Sequence, residues 1–171
     1  MYKSFIGIII SLFFWGGSPV AEETKPPAIV KTVNRIYYFD RTNTPTIRIP
    51  KNARCSQHWN VLYEAGWKQK DMLMADKIMY RESRCIPSSH NPNDPVTING
   101  VKGSLGLFQI NLFWLSKTTS YPLGYLQTVK IAQTPEDLLV PLTNAKAALA
   151  LFQYSEAVNG CGWQPWAMPC D

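Results

Sequence analysis

The sequence predicts a mainly α (α+β) domain in which helices frame a small β-hairpin or loop region. Three observations carry that prediction. Apolar residues recur at helical spacing within 55–85 and again within 143–158. Proline and glycine punctuate the stretch between, with Pro87, Pro92, Pro95, Gly100 and Gly103 all falling in 87–103. The chain is 46% hydrophobic and 17% charged, a balance that suits a folded globule and not a disordered tail. Its 171 residues fit one domain with a core able to stand without a metal.

The first residues stand apart from that globule. Lys3 precedes an apolar run from Phe5 to Trp15, and Gly16, Gly17, Ser18, Pro19, Val20 and Ala21 follow. This order reads as a signal peptide over 1–21. The run is shorter than the ~20 residues that span a bilayer. Export to the periplasm or the extracellular space follows, with membrane contact only through this segment if it is uncleaved. Residues 22–54 read as a linker and extended arm, in which Ile36, Tyr37, Tyr38, Phe39, Ile47 and Ile49 suggest a small hairpin or an arm.

The domain proper is expected over 55–171. Ser56 is a candidate N-cap for a first helix in which Trp59, Leu62 and Tyr63 share a face, and Gly66 ends it. A second helix is expected from near Asp71 to about Cys85, with Pro87 as its stop. Residues 87–103 read as a loop holding a short hairpin at Val96–Val101. A third helix is expected from about Leu107, carrying Phe108, Leu112 and Leu115, and then a loop over 121–130. Thr134-Pro135-Glu136-Asp137 has the composition of a helix start. The Ala-rich run Thr143–Val158 is a last helix closed by Asn159-Gly160.

Charge and cysteines bound the function. Net charge is +5, and removing 1–21, which holds Lys3 and no acid, leaves +4. A mildly basic exported protein suits an anionic cell wall. The basic residues are scattered, so nucleic acid is not an expected partner. Four cysteines allow three pairings, which the sequence does not choose between, although Cys55–Cys85 and Cys161–Cys170 are favoured over metal ligation, because no close CxxC spacing exists. No metal or other cofactor is expected, and a monomer is.

The chemistry centres on Glu82. Ala75, Ile78, Met79 and Glu82 lie at i, i+3, i+4 and i+7 on one helix face that is otherwise apolar. Such surroundings disfavour a charged carboxyl, and a carboxylic acid that keeps its proton is what protonates a departing sugar oxygen. Arg81 and Arg84, at i−1 and i+2, are expected to face elsewhere. The competing role for Glu82 is a structural ion pair with an arginine.

Glu82-Ser83, followed after a Pro/Asn-rich loop by Gly103-Ser104-Leu105-Gly106-Leu107-Phe108-Gln109-Ile110-Asn111, resembles the lysozyme-like superfamily in its soluble lytic transglycosylase and phage lysozyme branches. Asn144, Ala147, Ala148, Leu151 and Tyr154, then Trp163 and Trp166, continue the likeness, which spans roughly 55–166. The resemblance implies a two-lobed, mostly helical enzyme that cleaves peptidoglycan strands between N-acetylmuramic acid and N-acetylglucosamine. It implies Glu82 as catalytic acid and base, and Ser104, Gln109, Asn111 and Tyr154 as substrate-binding residues. Turn and cap chemistry is the competing role for Ser104, Gln109 and Asn111. Gly106 is expected to let backbone approach the ligand, and Phe108 to sit in the core.

In animal c-type lysozymes the comparable stretch begins with Asp, where this chain has Ser104. That departure favours a transglycosylase, in which one Glu acts as acid and then base, over a two-carboxylate muramidase. Asp94 is the remaining candidate for a second acid, with a turn residue in Pro92-Asn93-Asp94-Pro95 as the blander role. Trp163 and Trp166 are candidates for stacking on sugars or for closing the core. Two other functions compete: a cysteine peptidase using Cys85 and His90, and a non-catalytic glycan-binding protein of the same fold.

Overall fold

The computed structural model describes residues 47–170. The signal segment and most of the arm therefore lie outside the described residues. Within them, four α-helices and five two-residue strands follow in the order α1 (Trp59–Ala65), α2 (Gln69–Ser83), β1 (His90–Asn91), β2 (Thr97–Ile98), β3 (Val101–Lys102), β4 (Ser104–Leu105), β5 (Ile110–Asn111), α3 (Tyr125–Thr128) and α4 (Pro141–Asn159). The domain is mainly α, as the sequence predicts. No described helix is long and apolar enough to cross a membrane.

Helix α1 packs chiefly against α4 and α2. Trp59 and Leu62 are buried, whereas Tyr63 is 45% exposed and does not share their face. Gly66, at φ 98°, ends the helix, and its N–H reaches the Leu62 and Tyr63 carbonyls. Ser56 is not the N-cap, because it lies inside a 3-10 turn over Ser56–His58 and makes no cap bond. A buried carboxylate fixes that entry instead. Asp76, fully inaccessible on α2, accepts from the Arg54 and Cys55 N–H groups at 2.8 Å each and from the Trp59 indole at 2.9 Å.

Helix α2 starts at Gln69, with Lys68 as its extended N-cap. Asp71 thus falls in the first turn, where it complements the helix dipole. The helix stops at Ser83, before Pro87 is reached. Arg84 and Cys85 both take left-handed backbone (φ 55° and 64°), and their N–H groups return to the Tyr80 and Met79 carbonyls. Cys85 is bonded to Cys55, and Cys161 to Cys170, each pair with Cα atoms 5.5 Å apart.

The strands gather between residues 90 and 111. β2 and β3 form the expected hairpin, closed by Asn99-Gly100 with positive φ at both residues, the geometry that suits a two-residue turn. β1, β4 and β5 form an antiparallel sheet in the order β1-β4-β5, pairing Asn91 with Ser104 and Ser104 with Asn111. The helix expected from Leu107 does not form. Gly106 (φ 79°) and Gln109 (φ 48°) turn the chain from β4 into β5, and a 3-10 segment, Leu112–Leu115, follows. Leu105, Leu107, Phe108, Ile110, Leu112 and Leu115 are all buried. These buried positions, with the exposed Phe113 among them, follow neither a strand nor a helix period.

The Thr134 start opens a 3-10 helix, Pro135–Leu139. Asp137 accepts from the Gln133 and Thr134 N–H groups at 2.8 and 3.0 Å, and these bonds, Gln133 first, hold its carboxyl below the ordinary value of 3.8. Helix α4 has Pro141 at its first position and buries Ala145, Ala147, Ala148 and Leu151. Gly160, at φ 69°, closes it.

Candidate active site

Glu82 sits in the last turn of α2, one turn beyond the fully buried Ile78 and Met79. Its side chain is 25% exposed, so the apolar face delivers it to the surface and does not enclose it. The expectation that Arg81 faces elsewhere fails. Arg81 Nε and one terminal nitrogen donate to Glu82 Oε1 at 2.9 and 2.6 Å. The side chains of adjacent helical residues diverge, but a long guanidinium bends back across that gap. Arg81 is itself held, donating to the Trp166 carbonyl and contacting Met168 Sδ at 2.9 Å. The C-terminal segment therefore positions the arginine that positions Glu82. Oε2 accepts from no protein group among the described residues.

The Gly106–Asn111 turn is held from outside its own sequence. Asn144, fully buried on α4, accepts from the Phe108 N–H at 2.9 Å and donates to the Leu105 and Leu138 carbonyls at 2.9 and 2.8 Å. A Cβ on Gly106 would collide with the Asn144 amide and the Leu138 carbonyl. The close approach that requires glycine within the protein is thus to Asn144 and Leu138.

The other predicted residues separate. Ser104 is 4% exposed, and its hydroxyl donates to the Asp94 carboxylate. Asp94, half-buried in Pro92-Asn93-Asp94-Pro95, is thereby held beside Ser104. No basic group lies within 4.0 Å of it among the described residues. The Gln109 amide nitrogen donates to the Ser89 and Gly106 carbonyls at 3.1 and 2.9 Å, and the Asn111 carbonyl caps the following turn by accepting from the Phe113 N–H at 2.8 Å. Both residues bind backbone, leaving the Gln109 carbonyl and the Asn111 amide nitrogen without a side-chain bond among the described residues.

Tyr154 faces a cleft of about 230 Å³ walled by Trp114, Tyr121 and Tyr125, with Ser116, Thr118 and Ser120 at its rim. The sequence did not single out Trp114, Tyr121 or Tyr125, which come together only through α3 and α4. Burial, then the neighbouring Tyr121 and Tyr154, push the Tyr125 hydroxyl above its ordinary 10.0. Its proton donates to the Ala150 carbonyl at 3.2 Å. Trp163 and Trp166 belong to the core. Trp163 stacks on Trp67 at 5.6 Å, and the Trp166 indole donates to the Phe108 carbonyl at 3.0 Å.

The cysteine peptidase alternative is excluded among the described residues. Cys85 is in a disulfide with no free thiol beside it, and His90 Nε2 is bonded to the Lys102 carbonyl at 2.6 Å. Disulfides are also consistent with an oxidising, exported setting.

A scan of family models matches residues 59–168 to the lysozyme like domain. No curated protein and no solved structure matches the chain.

Proposed function

The chain belongs to the lysozyme-like domain family, and from that premise we propose that it is an exported lytic transglycosylase of peptidoglycan glycan strands, with Glu82 as general acid and then base. The observation that carries this is the carboxylate itself. Glu82 lies in the last turn of a helix with one buried face, is partly open to solvent, and has one oxygen fixed by Arg81 while the other is unengaged among the described residues. Glu82 protonates the oxygen between N-acetylmuramic acid and N-acetylglucosamine as that bond breaks. It then takes the proton from the muramoyl 6-hydroxyl as this oxygen bonds to the anomeric carbon, giving a 1,6-anhydro sugar without water. Ser104, Gln109, Asn111 and Tyr154 are proposed to line the strand.

One observation favours hydrolysis as the second mechanism. The Asp94 carboxylate accepts from Ser104, which offers a partner acid of the kind a two-carboxylate glycosidase uses.

Mass spectrometry of digested peptidoglycan tests both. Anhydro-muramic ends support transglycosylation, and reducing ends with loss of activity in Asp94→Asn support hydrolysis. Glu82→Gln is expected to abolish either product while costing less than about 1 kcal/mol of stability, because an exposed ion pair contributes little. Unchanged cleavage by that variant removes Glu82 from the mechanism. Binding without cleavage by the unaltered protein makes it a glycan-binding member of the family.

A further inference from the structure

The last turn of α2 is held from two sides by disulfide-bonded chain. On one side Cys85 is joined to Cys55, whose N–H donates to the buried Asp76 carboxylate. On the other stands the C-terminal segment, which Cys161 and Cys170, nine positions apart, close into a ring. Both atoms that grip Arg81 from outside α2 belong to this ring: the Trp166 carbonyl and Met168 Sδ. The ring is itself seated on the core. Trp163 stacks on Trp67, the Trp166 indole donates to the Phe108 carbonyl, and the Ala167 and Met168 N–H groups return to the Gln164 and Trp163 carbonyls at 2.9 and 3.4 Å.

The nature of Arg81 makes such a hold necessary. Its side chain is 44% exposed, and an ion pair with its neighbour in the chain does not by itself overcome the rotamer freedom of a long exposed side chain. The guanidinium is planar, and all three of its nitrogens are engaged. Nε and one terminal nitrogen donate to Glu82 Oε1, that terminal nitrogen also donates to the Trp166 carbonyl, and the other donates to Met168 Sδ. A planar fork held at every nitrogen has no free rotation left. Both bonds to Glu82 converge on Oε1, so they set the direction in which the unengaged Oε2 points. Proton transfer depends on that direction, because a donor must lie within hydrogen-bond reach of the oxygen it protonates.

We propose that Arg81 is a positioning residue for the reaction and that the Cys161–Cys170 ring is the clamp that sets it. The ring fixes the guanidinium, the guanidinium fixes Oε1, and Oε2 is left aimed at the scissile oxygen. This rests on the role proposed above for Glu82 and adds to it the residues that orient that carboxylate. Its signature is a loss of turnover without a loss of substrate binding.

The test is the initial rate of cleavage by the full chain over a range of concentrations of soluble, uncrosslinked peptidoglycan strands. Arg81→Ala is expected to lower kcat about tenfold or more and to leave KM within about twofold, the mark of misplacing a reacting group and not of losing substrate contacts. Millimolar guanidinium ion is expected to restore much of that loss, which also shows that the variant is folded. Arg81→Lys, which keeps the charge without the planar fork, is expected to stay close to Arg81→Ala. The paired change Cys161→Ser with Cys170→Ser is expected to lower kcat several-fold, and Met168→Leu, which leaves the ring closed, by less. Neither should lower it further once Arg81→Ala is present, because changes that act through one shared partner are not additive. An unchanged kcat in Arg81→Ala, no rescue by guanidinium, full activity in Arg81→Lys, or losses from the ring and from Arg81 that multiply overturns the proposal. If Glu82→Gln abolishes cleavage while Arg81→Ala does not slow it, catalysis stands and the clamp falls. If Glu82→Gln cleaves at the full rate, the role of Glu82 and the clamp fall together.

Discussion

Two groups of aromatic rings in this molecule are made from similar residues and do opposite things. Around Trp67, Phe108 and Trp163 stack nearly parallel on its two faces (6° and 7°), and Phe152 fills the side at 4.4 Å from Trp163. Trp67 is 3% exposed, and its indole donates to the Ala145 carbonyl. Around Trp114, the rings of Phe113, Tyr125 and Tyr154 meet it steeply, at 64–75°, and leave a cleft. The difference teaches that aromatic content alone does not tell a sealed core from an open cleft. Whether rings lie on each other or lean apart does, together with whether their polar atoms are already bonded.

That contrast can be broken or sharpened by experiment. The largest stability effect is expected from Trp67→Ala, which empties the middle of a stack and costs roughly 3–5 kcal/mol in denaturant unfolding. Trp114→Ala, at a half-open position, is expected to cost only roughly 1–2 kcal/mol in the same measurement. Equal losses in the two variants would erase the distinction. Asn144→Ala falls between the two, at about 3 kcal/mol, because it strands the buried Phe108 N–H and two carbonyls. Its effect on activity should exceed that of an equally destabilising helix variant, since the turn it holds lies in the proposed site.

The smallest effect is a pH dependence. The Tyr125 hydroxyl is raised above 10.0, so the unfolded chain releases that proton first. Stability that is fully present below pH 10.0 is expected to fall as pH rises through the folded value. Tyr125→Phe should show a shallower decline in alkaline denaturation curves, and an identical slope would mean that Tyr125 is not the group responsible.

Much of the frame was legible because it depends on local chemistry. Gly66 and Gly160 end helices by taking left-handed backbone, a hairpin forms within the expected loop, and Pro135 opens a helical turn, each within a few residues of its signal. The failures are non-local. The 107–115 stretch buries Leu107, Phe108, Ile110, Leu112 and Leu115 with an exposed Phe113 among them, so its burial follows no single period, and its strand exists only by pairing with residues 104 and 105. Asp76 carries no local signal, and only the arrival of Arg54, Cys55 and Trp59 makes it a buried anchor. At the site, Glu82 and the motif were visible as residue types. The partner of Glu82 was misread, because Arg81 takes its position from Trp166 and Met168, more than eighty residues away. By composition Trp163 and Trp166 suit sugar stacking or core closure alike, and only their packing on Trp67 and Phe108 distinguishes the two. The rings that wall the cleft were passed over because 113–125 carries no motif.

The Asn144 clasp also bears on when the site comes into being. It bonds residues 36 and 39 positions earlier in the chain, so the turn from Gly106 to Asn111 has no local reason to adopt its shape. Ordering it requires closing that long loop, an entropic cost that is met only once α4 has docked. During folding, helices can form on their own schedule, while the part of the chain nearest the chemistry waits for the last helix. Proofreading of the fold and assembly of the site are then a single event: a chain whose α4 has not seated has no ordered motif with which to act on a strand.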